Sequence, residues 1–115
     1  ALIHEGEIHR LLKKNTVVYK KRRDAMCLAL DTHFHDIIEF EKPNGGLALW
    51  ILFKTHISLV QLAEKTKKMG LFLPKTLLYQ DKNSCAIRLG FGHWNEEEIE
   101  IVVEKLKLGY LEVIT

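Results

Sequence analysis

The run Leu47-Ala-Leu-Trp-Ile-Leu-Phe53 constrains this chain more than any other stretch. Successive side chains of a strand point to opposite faces. Both alternating sets are apolar here, so the run is expected as a strand buried on both sides. It is far shorter than the roughly 20 residues needed to span a membrane as a helix. The segment before it, "DIIEFEKPNGG", reads as another strand that ends at Pro43, followed by a turn at Asn44-Gly45-Gly46.

The flanking segments read mainly as helices. Over about residues 6–32, Ile8, Leu11, Leu12, Tyr19, Met26 and Leu30 recur at helical spacing, with Asn15 and Arg22 as weak points in the stripe. The polar face of this helix carries Lys13, Lys14, Lys20, Lys21, Arg22 and Arg23, expected as a solvated face. Ser58 and Gln61 have capping-box spacing, and Ile57 and Leu62 are placed to form the accompanying staple. Gly70 is the expected C-terminal stop of that second helix. "LFL" (71–73) reads as a short strand ended by Pro74, and Lys75–Ser84 as a loop. The last strand is "AIRLGF", and Asn95 opens a final helix with Glu96, Glu97 and Glu98 at its positive dipole end. The expected fold class is α+β: a two-layer domain with a small, mostly antiparallel sheet of about four strands and three helices packed against it.

The 115 residues fit one domain with a single core, and a hydrophobic fraction of 47% is that of a globular chain. A net charge of +2 does not by itself imply a nucleic-acid binder. Cys27 and Cys85 form no C-x-x-C pair, which favours a reduced, cytoplasmic chain. No signal-peptide pattern is visible, and no membrane association is expected. The chain does not begin with methionine, and its first residues already read as a helix approach. It is expected to be part of a longer protein.

Arg88 carries the clearest chemistry. In "CAIRLGFGH" (85–93), Ile87, Leu89 and Phe91 share one face, while Arg88 lies on the other between Ala86 and Gly90. The small flanks leave room beside the guanidinium, whose planar fork matches a carboxylate with two parallel hydrogen bonds. The alternative is an edge arginine pointing into water or paired with a nearby glutamate. His33 and His35 are two apart beside Asp36, but a third ligand at persuasive spacing is missing, so no metal is expected. His4, His9, His56 and His93 show no triad logic. Cys85 is expected as a small core residue rather than a nucleophile. No Walker or G-x-G-x-x-G motif occurs.

Taken in order, "GEIHRLLKKNTVVYKKRRDAMCLAL", "KPNGGLALWILF", "MGLFLP", "AIRLGF" and the helix with an acidic start resemble the C-terminal small domain of fold-type-I pyridoxal-phosphate aminotransferases. The flavour is that of the aminotransferase-like domain of MocR/GabR-type regulators in the GntR superfamily. There a Tyr-x-x-Arg-Arg-Asp segment, matched by Tyr19, Arg22, Arg23 and Asp24, leads into a Pro-x-Gly-Gly strand, matched by Pro43, Gly45 and Gly46. The resemblance implies that residues 1–115 are the small domain of a larger protein whose pyridoxal 5′-phosphate-binding large domain lies outside this chain. It implies that Arg88 binds the carboxylate of an amino acid or 2-oxo acid.

The Schiff-base lysine belongs to the absent domain, so Lys75 and Lys82 are not assigned that role. No catalytic or cofactor-binding residue is expected in this chain, which alone is expected to be neither an enzyme nor a cofactor binder. The intact protein is expected to be a homodimer. It is either a regulator that contacts DNA only through an absent N-terminal domain, or a working aminotransferase. A free-standing interaction module is the third reading, and it requires that no large apolar face be left uncovered. Where the family often has Pro-Gly after the short strand, this chain has Pro74-Lys75.

Overall fold

A computed structural model of the chain describes residues 5–43 and 46–115, with side chains described from residue 17 onward. Helix α1, Glu5–His33, leads into the short strand β1, Ile38–Glu39, and then β2, Ala48–Phe53. Helix α2, Leu59–Lys68, is followed by a 3-10 turn at Lys75–Leu77, β3 at Leu78–Gln80, β4 at Cys85–Gly90 and α3 at Glu96–Ile114. The four strands form one antiparallel sheet in the order β1-β2-β4-β3. The expected α+β class, with three helices and four strands, is what is observed.

The core lies between the helices and one face of the sheet. Leu49, Ile51 and Phe53 of β2 and Ile87 and Leu89 of β4 point into it. Met26 and Leu30 of α1, Leu59 and Leu62 of α2, and Ile99, Val103 and Leu106 of α3 close over them. Phe34, Phe53 and Tyr110 meet at one end, with ring centroids 5.9–6.3 Å apart, a spacing at which aromatic pairs add to simple burial. Tyr19, expected in the α1 stripe, is 36% exposed and stands outside this core. Ile8, Leu11, Leu12 and Asn15 lie outside the described side chains.

Local chemistry sets the helix ends. Ser58 Oγ accepts from the Gln61 amide at 3.3 Å, and the flanking Ile57 and Leu62 are both buried. At the other end of α2 the Leu71 amide bonds Thr66 O and the Gly70 amide bonds Lys67 O. That is the Schellman pattern, with Gly70 at φ +90° supplying the left-handed residue. Asn95 and Glu98 form a reciprocal capping box at the start of α3.

Two expectations are corrected. Residues 71–73 are not a strand: Leu71 and Leu73 are buried and Phe72 is exposed, but no ladder joins them. The third strand lies at 78–80, inside the segment expected as a loop, and pairs Leu78, Tyr79 and Gln80 with Ile87, Ala86 and Cys85. The hairpin is closed by Asp81, whose Oδ1 accepts from the Asn83 and Ser84 amides at 2.8 and 2.7 Å. The second correction concerns β2, which is buried on one face only. Trp50 is 48% exposed, and Ala48 and Leu52 are half-buried, because no described element covers the outer side of the sheet.

Candidate functional site: the open face of the sheet

The outer face is assembled by strand parity and register. Trp50 stands opposite Arg88, Ala48 opposite Gly90, and Leu52 opposite Ala86, which in turn faces Tyr79. The Trp50 and Tyr79 rings approach diagonally across this surface, with centroids 4.7 Å apart and planes at 53°. Ala86, though on the outer face, is only 2% exposed, roofed by the ring pair. The space expected on both sides of Arg88 therefore exists only toward Gly90, which is half-exposed. A methyl group there would lie 3.6 Å from Leu47 O, an ordinary contact.

Arg88 projects from the centre of this face and is exposed. Among the described residues it has no salt bridge, because every pair involves other side chains. The guanidinium is hydrated and needs no buried counter-charge, so its charge is free to engage an incoming anion. An open groove of about 560 Å³ runs on the far side of Trp50, past Phe40, Pro43 and Leu52, and Arg88 does not line it.

The Tyr-x-x-Arg-Arg-Asp segment positions this face rather than presenting a solvated basic stripe. Arg22 Nη1 donates to Gly92 O at 2.7 Å, just beyond β4. Arg23 Nη1 donates to Pro43 O at 3.1 Å, just before β2. Asp24 takes an ion pair from Lys42 at 2.8 Å and another from Arg23 at 3.2 Å. The hydrogen bond from Lys42 holds the Asp24 carboxyl below its usual range. Lys20 and Lys21 are exposed as expected, whereas Arg22 and Arg23 are half-buried. This anchoring role differs from the solvated face expected of these residues; its signal in the sequence is Arg22 sitting within the apolar stripe.

The other candidates are placed elsewhere. Cys85 is fully buried and lies 3.5 Å from the Ile57 amide, a core residue as expected. Cys27 is half-buried, and burial raises its thiol pKa. His33 ends α1 and pairs through Nε2 with Glu100 of α3 at 2.6 Å. Glu104 lies close by, the three ligand atoms being within 4.8 Å of one another. This contact joins α1 to α3, and Lys107 reinforces the join by donating to His33 O at 2.7 Å. His35 pairs with Asp36 at 3.3 Å in full exposure, so the two histidines do not share a site. His56 meets Asp81 O at 2.9 Å in the hairpin turn. His4 and His9 lie outside the described side chains.

The described residues do not assemble a pyridoxal phosphate site. Among the described residues no lysine is buried, and Lys75 and Lys82 stand in exposed turns away from any enclosure. No described helix is long and apolar enough to cross a membrane.

No family model matches the chain. It is 30% identical over 106 residues, 90% of its length, to an aminotransferase of Saccharolobus solfataricus, of which it covers 26%. It is 32% identical over 96 residues to the HTH-type transcriptional regulator NorG of Staphylococcus aureus, covering 83% of this chain and 22% of the regulator. Among solved structures, an α-aminoadipate aminotransferase of Thermus thermophilus, complexed with N-(5′-phosphopyridoxyl)-L-leucine, superposes with a TM-score of 0.68 at 19% identity. It covers 94% of this chain and 30% of the enzyme. That likeness establishes the fold. The chain spans about a quarter of the length of the curated relatives it matches. In sequence and in fold it resembles the C-terminal domain of an aminotransferase, a domain type found both in enzymes and in helix-turn-helix regulators.

Proposed function

We propose that residues 1–115 form the C-terminal domain of a pyridoxal-phosphate-dependent, aminotransferase-like transcriptional regulator, in which Arg88 holds the carboxylate of an amino-acid substrate or effector. The observation that carries this reading is Arg88 itself. It is an exposed guanidinium with no acidic partner among the described residues, set in a partly apolar sheet face that the domain leaves uncovered. In the longer protein a second domain supplies the cofactor, which serves as the electron sink. This domain contributes orientation: two parallel hydrogen bonds to the carboxylate fix the amino group toward the reacting centre. Closure of the other domain over this face removes water from the site.

A working aminotransferase with the same Arg88 role is the second reading, supported by the enzymes among the relatives. A free-standing interaction module is disfavoured, because it requires a closed apolar surface and the outer face leaves Trp50 48% and Tyr79 43% exposed.

The test is Arg88→Lys in the full-length protein. Lysine retains the charge and loses the paired geometry. Amino-acid affinity is expected to fall by about 10- to 100-fold, the worth of one charge-assisted hydrogen bond of about 1.5–3 kcal/mol. Cofactor loading is expected to stay at the wild-type level. Equal loss of both would make Arg88 a structural residue.

A further inference from the structure

We infer that the ligand whose carboxylate Arg88 holds carries an aromatic side group, received by Trp50 and Tyr79. This rests on the Arg88 reading and adds the substrate class. Trp50 is the direct cross-strand neighbour of Arg88, and such pairs place their Cβ atoms about 4.5–5.5 Å apart. The charge and the indole therefore stand side by side on one surface. Tyr79 enlarges it: the two ring centroids are 4.7 Å apart, with 48% and 43% of the residues still exposed. A third ring docks favourably at centroid distances of about 4.5–7 Å, edge-on or offset. An amino acid gripped at Arg88 would present its side group to this surface.

Other side groups fit this face less well. Lys42, which lines the groove beside Trp50, is already paired with Asp24 at 2.8 Å, so it is not free for a second carboxylate. Glu39 lies in the same cross-strand row as Leu52, Ala86 and Tyr79 and would repel it. A methyl side group would leave both rings without a ligand partner. Ala86 contributes by being small, since a larger side chain there would push the rings apart.

The experiment measures Kd for L-phenylalanine, L-alanine and L-glutamate by titration calorimetry on the full-length, cofactor-loaded protein. Wild type is compared with Trp50→Ala, Trp50→Phe and Arg88→Gln. The expected result is phenylalanine binding about tenfold or more tighter than alanine. Trp50→Ala should erase that preference by weakening phenylalanine far more than alanine, and Trp50→Phe should restore most of it. Arg88→Gln should weaken all three amino acids by a similar factor and leave the preference intact. Equal weakening of all three by Trp50→Ala would overturn the inference and make the ring pair a support for Arg88. So would a wild-type protein that prefers glutamate or alanine. If Arg88→Gln changes no affinity, the carboxylate reading fails first and takes this inference with it. That outcome is separate from a lost preference with Arg88 still required.

Discussion

Gly109 shows how one residue sets the distance between two helices. It lies on α3 against α2, and a Cβ there would approach the Thr66 methyl to 2.8 Å and Leu62 to 3.2 Å. Both neighbours are fully buried and cannot retreat. Gly109→Ala gains about 1 kcal/mol of helix propensity, but overpacking a dense core costs about 1–3 kcal/mol. We predict net destabilisation of up to about 2 kcal/mol in denaturant unfolding. Adding Thr66→Ser removes the obstructing methyl and should recover part of the loss. Simple additivity of the two substitutions would mean the contact is not the cause. For Arg88, period-2 alternation fixed its face correctly. What alternation cannot report is which distant side chains reach that face. The lack of an acidic partner among the described residues and the Trp50–Tyr79 ring pair depend on which strands the fold brings together. His33 and Glu100, 67 positions apart, were beyond reach for the same reason.

Among the elements, those defined by their own residues were legible, and those defined by partners were not. Helix α2 could be read from Ser58, Gln61 and Gly70, and each does the expected work. The third strand was misplaced because alternation in Leu71-Phe72-Leu73 reports which side chains are buried, whereas a strand needs a neighbour to bond. The better signal was the polar turn Asp81-Lys82-Asn83-Ser84, whose chemistry brings β3 back against β4. Hydrogen bonds from the Asn83 amide and then the Ser84 amide hold the Asp81 carboxyl below the usual carboxylate range. A depressed carboxylate stabilises the folded form above its unfolded pKa and ceases to do so as pH falls through the lower, folded value. The Asn83 and Ser84 amides should therefore be protected from hydrogen exchange above about pH 4 and lose protection below the folded pKa. Asp81→Ala should abolish that protection at every pH. Retention in the variant would show that β3 holds the turn closed without the carboxylate.

For the molecule as a whole, one face of the sheet is finished and the other is not. The helices bury the inner side chains of β2 and β4, while Trp50, Tyr79 and Arg88 remain on the outside, held in place by the Arg22 and Arg23 anchors at the sheet's end. The sequence presented Leu47–Phe53 as apolar on both sides, and burial on both sides was the natural expectation. The structure shows that the second layer is not among the described residues of this chain, which spans only 22–30% of the aminotransferases and regulators it resembles. We propose that this open face meets an amino acid through Arg88. A crystal structure of the full-length protein with cofactor and a bound amino acid tests this without an intermediary. We predict two parallel hydrogen bonds of about 2.7–2.9 Å from the Arg88 guanidinium to the ligand carboxylate. Arg88 paired instead with a protein carboxylate, and the amino acid bound elsewhere, would contradict it.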